Sequence, residues 1–277
     1  MKHISAILTP DGLPALRQRD LNGSLCVVFD VLRATSTFVT ALQHGARQVI
    51  PVSEISEALA ERKKDPAVLL AGERDGVKIS AAQTGGADFD LGNSPREFET
   101  EIVRGKTIVA TTTNGTRALN ACQGAHTVLA GSFLNLAATA RFILKNPAQR
   151  IVLVCAGTGS QAALEDVLGA GALCERLLAS GEAFALADSA VIAWRAYREI
   201  ESAKPAMLTQ SVRTARGDAR PTNAEESMLA EVMGGTDNGR RLMAIPELRA
   251  DVAYCAQTDV FDLVAWQSDG GLVGLKC

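Results

Sequence analysis

The acidic and basic residues that could do chemistry gather where apolar runs stop. Asp30 closes the run Cys26-Val-Val-Phe-Asp, and the chain continues Val31-Leu-Arg-Ala-Thr-Ser-Thr37 into a helical pattern. A carboxylate there can hold a cation or move a proton, and Arg33 adds a fixed charge with a forked donor for an oxyanion. The carboxyl edge of a parallel sheet is where open α/β folds bind ligands, and a helix start offers free N–H groups to an anion. The structural alternative is a buried strand and a capped helix in which Asp30 pairs with Arg33.

The pattern recurs. Val68-Leu-Leu-Ala-Gly-Glu-Arg-Asp-Gly76 ends an apolar run with Glu73 and Arg74. Thr107–Thr111 runs on through Thr112, Thr113, Asn114, Gly115 and Thr116 to Arg117. Hydroxyls, turn amides, a helix capped near Thr116 and a guanidinium together suit a tetrahedral oxyanion. An Asn-Gly loop is also an ordinary turn. Phe89–Pro95, which carries Asn93 and Ser94, reads alone as a Gly/Asn/Pro loop.

Val152–Asp166 can be read three ways. A Cys-x5-Arg phosphatase loop starting at Cys155 fails, because Gln161 stands where the anion-clamping Arg belongs. Cys155 is then either an activated thiolate before a Gly turn or a small core residue. Gly157-x-Gly159-x-x-Ala162 fits a dinucleotide fingerprint, although Glu165 and Asp166 fall near the helix start, where a pyrophosphate would meet their charge. As a metal site, Glu165 and Asp166 would join Asp30 and Glu73 around Mg²⁺, which favours carboxylates and retained waters. Their plain reading is favourable acidic charge on a helix N-terminus. Other phosphate motifs fail. Gly105-Lys106-Thr107 leads into a strand, Asp88-Phe89-Asp90 follows Gly85-Gly86, and no HExxH or GxSxG occurs.

These residues need strands to place them. Leu25–Val31, Gln48–Val52, Ala67–Ala71, Thr107–Thr111, Thr127–Ala130, Arg150–Ala156 and Ala183–Ala187 read as strands. Helical patterns cover Ser36–His44, Ser53–Lys63, Thr116–Cys122, Leu134–Leu144, Ala162–Ala179 and Ala187–Glu199. The alternation predicts a three-layer α/β fold with a largely parallel, possibly mixed sheet. It is expected to form a single compact unit over 1–277, with possible sub-lobes of about 1–145 and 146–277. Glu201–Ala224 reads as an irregular excursion, Glu225–Met233 and the residues after Asn238 as helical, and Asp251–Val264 as a strand and turn.

Composition narrows the partners. The 277 residues carry a net charge of −3, which disfavours a nucleic-acid face. No apolar stretch approaches a membrane span, and the N-terminal apolar run meets Pro10 and Asp11 too soon for a signal peptide. Six Cys without a CxxC pair, and only three His, point to reduced thiols of a cytoplasmic protein without structural zinc. A homo-oligomer is compatible with this, though no patch identifies one.

Taken in order, seven strings resemble the 2-phosphosulfolactate phosphatase family, the ComB-type proteins. They are DVLRATST (30–37), LAGER (70–74), FDLGNSP (89–95), TTTNGT (111–116), GSFLN (131–135), CAGTGSQAALEDVLGAG (155–171) and DVAYC (251–255). The resemblance implies Mg²⁺-dependent hydrolysis of 2-phospho-3-sulfolactate, which in methanogens serves coenzyme M biosynthesis. On that reading Asp30 and Glu73 are the first metal candidates, followed by Glu165 and Asp166, and one of them is an acid or base. Arg33 and Arg117 with the Thr112–Thr116 loop would clamp phosphate. Arg74, Asn93, Ser94, Ser132 and Asn135 would meet the rest of the small anionic substrate. The nucleophile is open between water, Asp30 and Cys155. Two other classes stay open: an NAD(P)-dependent oxidoreductase built on Gly157 and Gly159, and a non-catalytic binder of small anions.

Overall fold

Strands whose residues are apolar on both sides must be covered on both faces. Leu25, Val27 and Phe29 enter one core while Cys26 and Val28 enter the other, and Ile151, Leu153 and Cys155 alternate in the same way with Val152 and Val154. A computed structural model describes residues 1–211, 224–268 and 270–276.

The strands are β1 (Lys2–Ile7), β2 (Ser24–Phe29), β3 (Gln48–Pro51), β4 (Leu69–Arg74), β5 (Val77–Lys78), β6 (Thr107–Thr111), β7 (Thr127–Gly131), β8 (Arg150–Cys155), β9 (Phe184–Leu186), β10 (Leu263–Ser268) and β11 (Gly271–Lys276). They form one 11-stranded sheet in the order β5-β4-β6-β3-β11-β10-β7-β2-β8-β1-β9. The helices are α1 (Leu13–Arg17), α2 (Ala34–Gln43), α3 (Ile55–Lys64), α4 (Ala81–Thr84), α5 (Thr100–Val103), α6 (Gly115–Ala121), α7 (Leu136–Lys145), α8 (Leu164–Leu178), α9 (Asp188–Ser211), α10 (Ala224–Gly234), α11 (Asp237–Ala244) and α12 (Arg249–Cys255). They flank the sheet on both faces, giving the three layers. One core lies under α7, α8, α9 and the C-terminal helices. The other encloses α2 and α6, and a smaller one sits beneath α3.

The sheet is mixed in an ordered way. β7, β2, β8, β1 and β9 are mutually parallel, as are β3, β6 and β4. The β10–β11 hairpin joins the two sets by antiparallel pairing at both sides, so the sets run in opposite directions. At roughly 20–25° of twist per pair, the six steps from β2 to β4 rotate the strand direction by roughly 120–150°. That rotation turns the carboxyl ends of β4 and β6 back toward that of β2. α2 fills the resulting concavity against β3, β7, β10 and β11, which is why Ala34–Leu42 are buried throughout.

Three sequence expectations change. Helix α9 continues to Ser211, so 201–211 are helical rather than irregular, and 212–223 lie outside the described residues. Asp251–Cys255 belong to helix α12, and the strand begins only at Leu263. The N-terminal run Lys2–Ile7 and the closing Gly271–Lys276 are sheet strands that the sequence reading did not assign. Apolar periodicity over a few residues does not separate a short helix from a short strand. Among the described residues, no helix is long and apolar enough to cross a membrane.

Close packing of α8 on α9 rests on one small residue. A Cβ on Gly171 would lie 2.1 Å from the Ala193 carbonyl oxygen, a backbone atom that cannot swing away. Gly171→Ala is expected to lower stability by about 1–3 kcal/mol in urea unfolding. Gly86→Ala, with nothing within 4 Å of the added atom, serves as the control expected to leave the midpoint near wild type.

Candidate active site

Loops following β2, β4, β6 and β8 meet around a cavity of about 230 Å³. Its floor is set by buried Asp30, Arg33, Glu73 and Asn93, and its rim by exposed Asp75, Thr113, Gly159 and Arg241.

Each floor group is fixed by local backbone. Asp30 sits at the mouth of α2. Its Oδ1 accepts from Ala34 N at 3.1 Å, and its own N–H and carbonyl are both engaged by the Thr35 hydroxyl. The carboxylate thus does part of the capping of α2. Its Oδ2 makes no hydrogen bond among the described residues, and a Cβ on Gly115 would lie 2.7 Å from it. Glu73 ends β4 beside a two-residue Asp75-Gly76 hairpin turn with both φ values positive. That turn directs Gly76 N onto Glu73 Oε2 at 2.7 Å, while Thr113 N donates to Oε1 at 2.9 Å. Arg33 donates to Gly76 O at 2.7 Å and to Asp251 Oδ2 at 2.8 Å. Asp251, on α12 and fully buried, also accepts from Ser94 Oγ at 2.7 Å. Arg33 is therefore a preoriented cation paired with Asp251, rather than with Asp30.

Asp166 and Glu165 open α8. Asp166 accepts from Val31 N at 2.8 Å and Gly157 N at 2.9 Å, stapling the loop after β2 to the loop after β8. Glu165 Oε1 accepts from Asn238 Nδ2 at 2.7 Å, whereas its Oε2 is buried without a hydrogen-bond partner. Neither lines the cavity, but both lie within electrostatic reach of Asp30. Burial, then repulsion from Glu73 and Glu165, pushes Asp30 up to about 7 against the pull of Ala34 N–H and Arg33. Burial with repulsion from Asp30 and Glu165 holds Asp166 well above the usual carboxylate range.

Several residues singled out by sequence stand elsewhere. Arg117 is exposed on α6 and does not line the cavity. Arg74 turns to the end of the neighbouring strand β6, with Nη2 on Thr111 Oγ1 at 3.1 Å. Thr116 donates twice to Thr112 across the start of α6, its N–H to Thr112 Oγ1 at 3.3 Å and its Oγ1 to Thr112 O at 2.9 Å. Ser132 and Asn135 form a capping box before α7, and Asn135 Nδ2 reaches Leu263 O at 3.1 Å, locking β10 in place. Ser94 is spent on Asp251, and Asn93, Thr113 and Asn114 line the cavity. Cys155 is buried in a core, and desolvation, then nearby Asp166, raises its thiol well above the ordinary value. A protonated, enclosed thiol is no nucleophile. The five described cysteines are free and buried. Asp75, Thr158, Arg241, Leu242 and Asp251 were missed. Asp251 lies inside the DVAYC string and Arg241 in the Arg240-Arg241 pair, but neither position carried a local signal that it would return to the β2 edge.

The dinucleotide reading loses its anion site. Gly157 N–H, which would face a pyrophosphate, already donates to the chain's own Asp166 carboxylate. Divalent-cation binding fits better. The acidic lining offers oxygen donors, with three carboxylates against two guanidiniums. Among the described residues, no three His, Cys, Asp or Glu side chains are gathered closely enough to hold an ion by themselves. Mg²⁺ does not need such a cage, since it keeps several waters and takes one or two carboxylates beside substrate phosphate.

Fold and cavity define the class: a three-layer α/β protein with a polar, charged pocket sized for a small anion. A family model described as 2-phosphosulpholactate phosphatase matches residues 8–217. A probable 2-phosphosulfolactate phosphatase of Thermotoga petrophila is 44% identical over 238 residues, covering 86% of each chain. One of Caldanaerobacter subterraneus is 47% identical over 165 residues, 59% of this chain and 65% of that one. Another, from Clostridium perfringens, is 32% identical over 265 residues, 94% and 92% of the two. The chain belongs to the 2-phosphosulfolactate phosphatase family, a family of phosphoric monoester hydrolases.

The lifted Asp30 has a thermodynamic signature without metal. Well below pH 4 the carboxyl is protonated whether folded or unfolded, and near pH 4 the unfolded chain has begun to ionise while the folded one has not. As pH rises toward 7 the unfolded chain ionises first, so this group lowers stability across that window and most strongly above it. In EDTA, Asp30→Asn is expected to exceed wild type in stability at pH 8 by up to about 4 kcal/mol, with the gap closing at pH 4. Urea midpoints at the two pH values check this. A gap that does not change with pH would mean that Asp30 ionises normally.

Proposed function

We propose that the chain hydrolyses 2-phospho-3-sulfolactate to 3-sulfolactate and inorganic phosphate with the help of Mg²⁺. In an organism that makes coenzyme M, the reaction would serve that biosynthesis. The observation that carries this reading is the convergence of buried Asp30 and Glu73 with Arg33 in one cavity, in a chain of this family.

Glu73 and Asp30 would hold the ion, which when bound supplies Lewis-acid charge at a phosphoryl oxygen. The chain's own groups do the rest. Asp30 Oδ2, free of protein hydrogen bonds among the described residues, accepts a hydrogen bond from the attacking water and orients it. Arg33, fixed by Asp251 and Gly76 O, meets the charge that grows on the phosphoryl oxygens without having to reorganise. Burial of the floor keeps competing water away from that charge.

Inorganic phosphate release from a panel of small phosphorylated acids tests the reaction. The sulfolactate ester should be the best substrate, with activity lost in EDTA and restored by Mg²⁺. Tight calorimetric binding of sulfolactate, with no phosphate freed from any ester in Mg²⁺, would instead favour an anion-binding protein. Arg33→Ala should lower kcat/KM by about 10²–10³-fold, in the range seen for lost transition-state donors. Arg117→Ala should stay within about twofold, as expected of an exposed side chain outside the cavity. Equal losses for the two variants would overturn this assignment of the phosphate clamp.

A further inference from the structure

The floor leaves one end of the substrate unaccounted for. With the phosphoryl group among Asp30, Glu73 and Arg33, the carboxylate and sulfonate face the rim. Arg74, Ser94 and Asn135, which sequence reading gave to that end, are bonded within the fold. A different cation stands there. Arg241 on α11 lines the cavity from its exposed side and has no carboxylate partner among the described residues.

Arg241 is aimed by a buried relay. Its Nη2 donates to Asn238 Oδ1, and Asn238 spends its amide on Thr158 Oγ1 and Glu165 Oε1, both at 2.7 Å. Asn238 and Glu165 are both buried, so the amide cannot turn without losing two bonds. Asn238 and Arg241 are three residues apart on α11, which puts them on one helical face. An Arg this constrained presents its fork at low entropic cost. Its other rim neighbours are Asp75, which opposes any anion, Thr113, whose N–H is held by Glu73, and Gly159.

We infer that Arg241 is a specificity-determining residue: it binds the second anionic group of the substrate, a carboxylate or sulfonate, and so selects phosphate esters of small acids over esters with neutral tails. The inference deepens the proposed hydrolysis and rests on it for the identity of the substrate. Arg241 lies beyond residue 217, where the family match ends. The selector therefore sits outside the stretch that carries the floor chemistry.

The test compares wild type with Arg241→Gln on four esters. These are 2-phospho-3-sulfolactate, 2-phospholactate (carboxylate only), 1-sulfopropan-2-yl phosphate (sulfonate only) and isopropyl phosphate (neither). The preference for the doubly anionic ester over isopropyl phosphate, as a ratio of kcat/KM, should fall by about 10- to 100-fold, the span of a lost charge-assisted bond. Whichever singly substituted ester shows the same fall identifies the group that Arg241 holds. An unchanged ratio, whether from no loss on any ester or from equal loss on all four, overturns the inference. A binding arm is independent of turnover. By calorimetry the variant should lose 10- to 100-fold in affinity for 3-sulfolactate and keep its affinity for inorganic phosphate. Parallel losses, or none, would again refute it. If wild type frees no phosphate from any ester, the hydrolysis reading fails while the calorimetric comparison still decides the role of Arg241.

Discussion

Burial of like charge at one end of β2 is the constraint on which the rest depends. Asp30 feels Glu73, Glu165 and Asp166, and each of these carboxylates is buried. Such a group is tolerated only when donors reach it. The donors come from separate loops: Ala34 N for Asp30, Gly76 N and Thr113 N for Glu73, Val31 N and Gly157 N for Asp166, and Asn238 for Glu165. The acidic cluster therefore assembles its own surroundings. Glu73 ties the end of β4 to the loop after β6, Asp166 ties the loops after β2 and β8 to the start of α8, Glu165 ties α8 to α11, and Asp30 holds the start of α2.

That stapling needs loops from strands that are distant in the sheet. In a single parallel set, β2 and β4 would lie far apart along one edge. Here two parallel sets run in opposite directions, joined by β10 and β11, and accumulated twist brings their carboxyl ends together. The contact between Arg33, after β2, and Gly76 O, after β4, is the direct trace of that closure. The C-terminal hairpin is thus part of the site's construction although none of its described residues lines the cavity. Asn135 does comparable work from the other side by bonding Leu263 O, which holds β10 against the β7 edge.

Much of this was legible in the sequence, and the illegible part has a common cause. Strands such as Thr107–Thr111 and Arg150–Cys155 announce themselves by β-branched runs, because a strand buried on both faces has no polar alternation to hide it. Asp30, Glu73 and the Thr113-Asn114 turn were readable as cavity neighbours because each lies at or just past the end of such a strand. Arg74 and Arg117 met the same criterion and do not line the cavity. One residue of difference in register turns a side chain to the other face, and three residues into a helix carry it to solvent. Arg241 and Asp251 could not be read at all. They reach the cavity through the packing of α11 and α12, and nothing local in either helix encodes where the β2 edge will be. The helical extension of α9 past Glu201 was hidden by Pro205 and scattered charges, which resemble loop composition.

Charge bookkeeping at the cavity explains why an acidic protein can accept a strongly anionic substrate. Of the two guanidiniums in the lining, Arg33 is already neutralised by Asp251, which leaves Arg241 facing Asp30, Glu73 and Asp75. A phosphate ester carrying two further negative groups would be repelled from such a cavity if nothing else entered. In the proposed reaction a divalent cation on Glu73 and Asp30 would reverse that balance, and it would draw Asp30 down from about 7 by replacing repulsion with attraction. In the proposed reaction, ion and substrate would then bind as a linked pair, each raising the affinity of the other by the same factor. Burial, with Glu73 and Glu165 nearby, is what raises Asp30 in the absence of any ion. An isolated active-site carboxylate could be tuned to ionise freely, but one kept short of positive charge is poised to be completed by the cation and anion that arrive together.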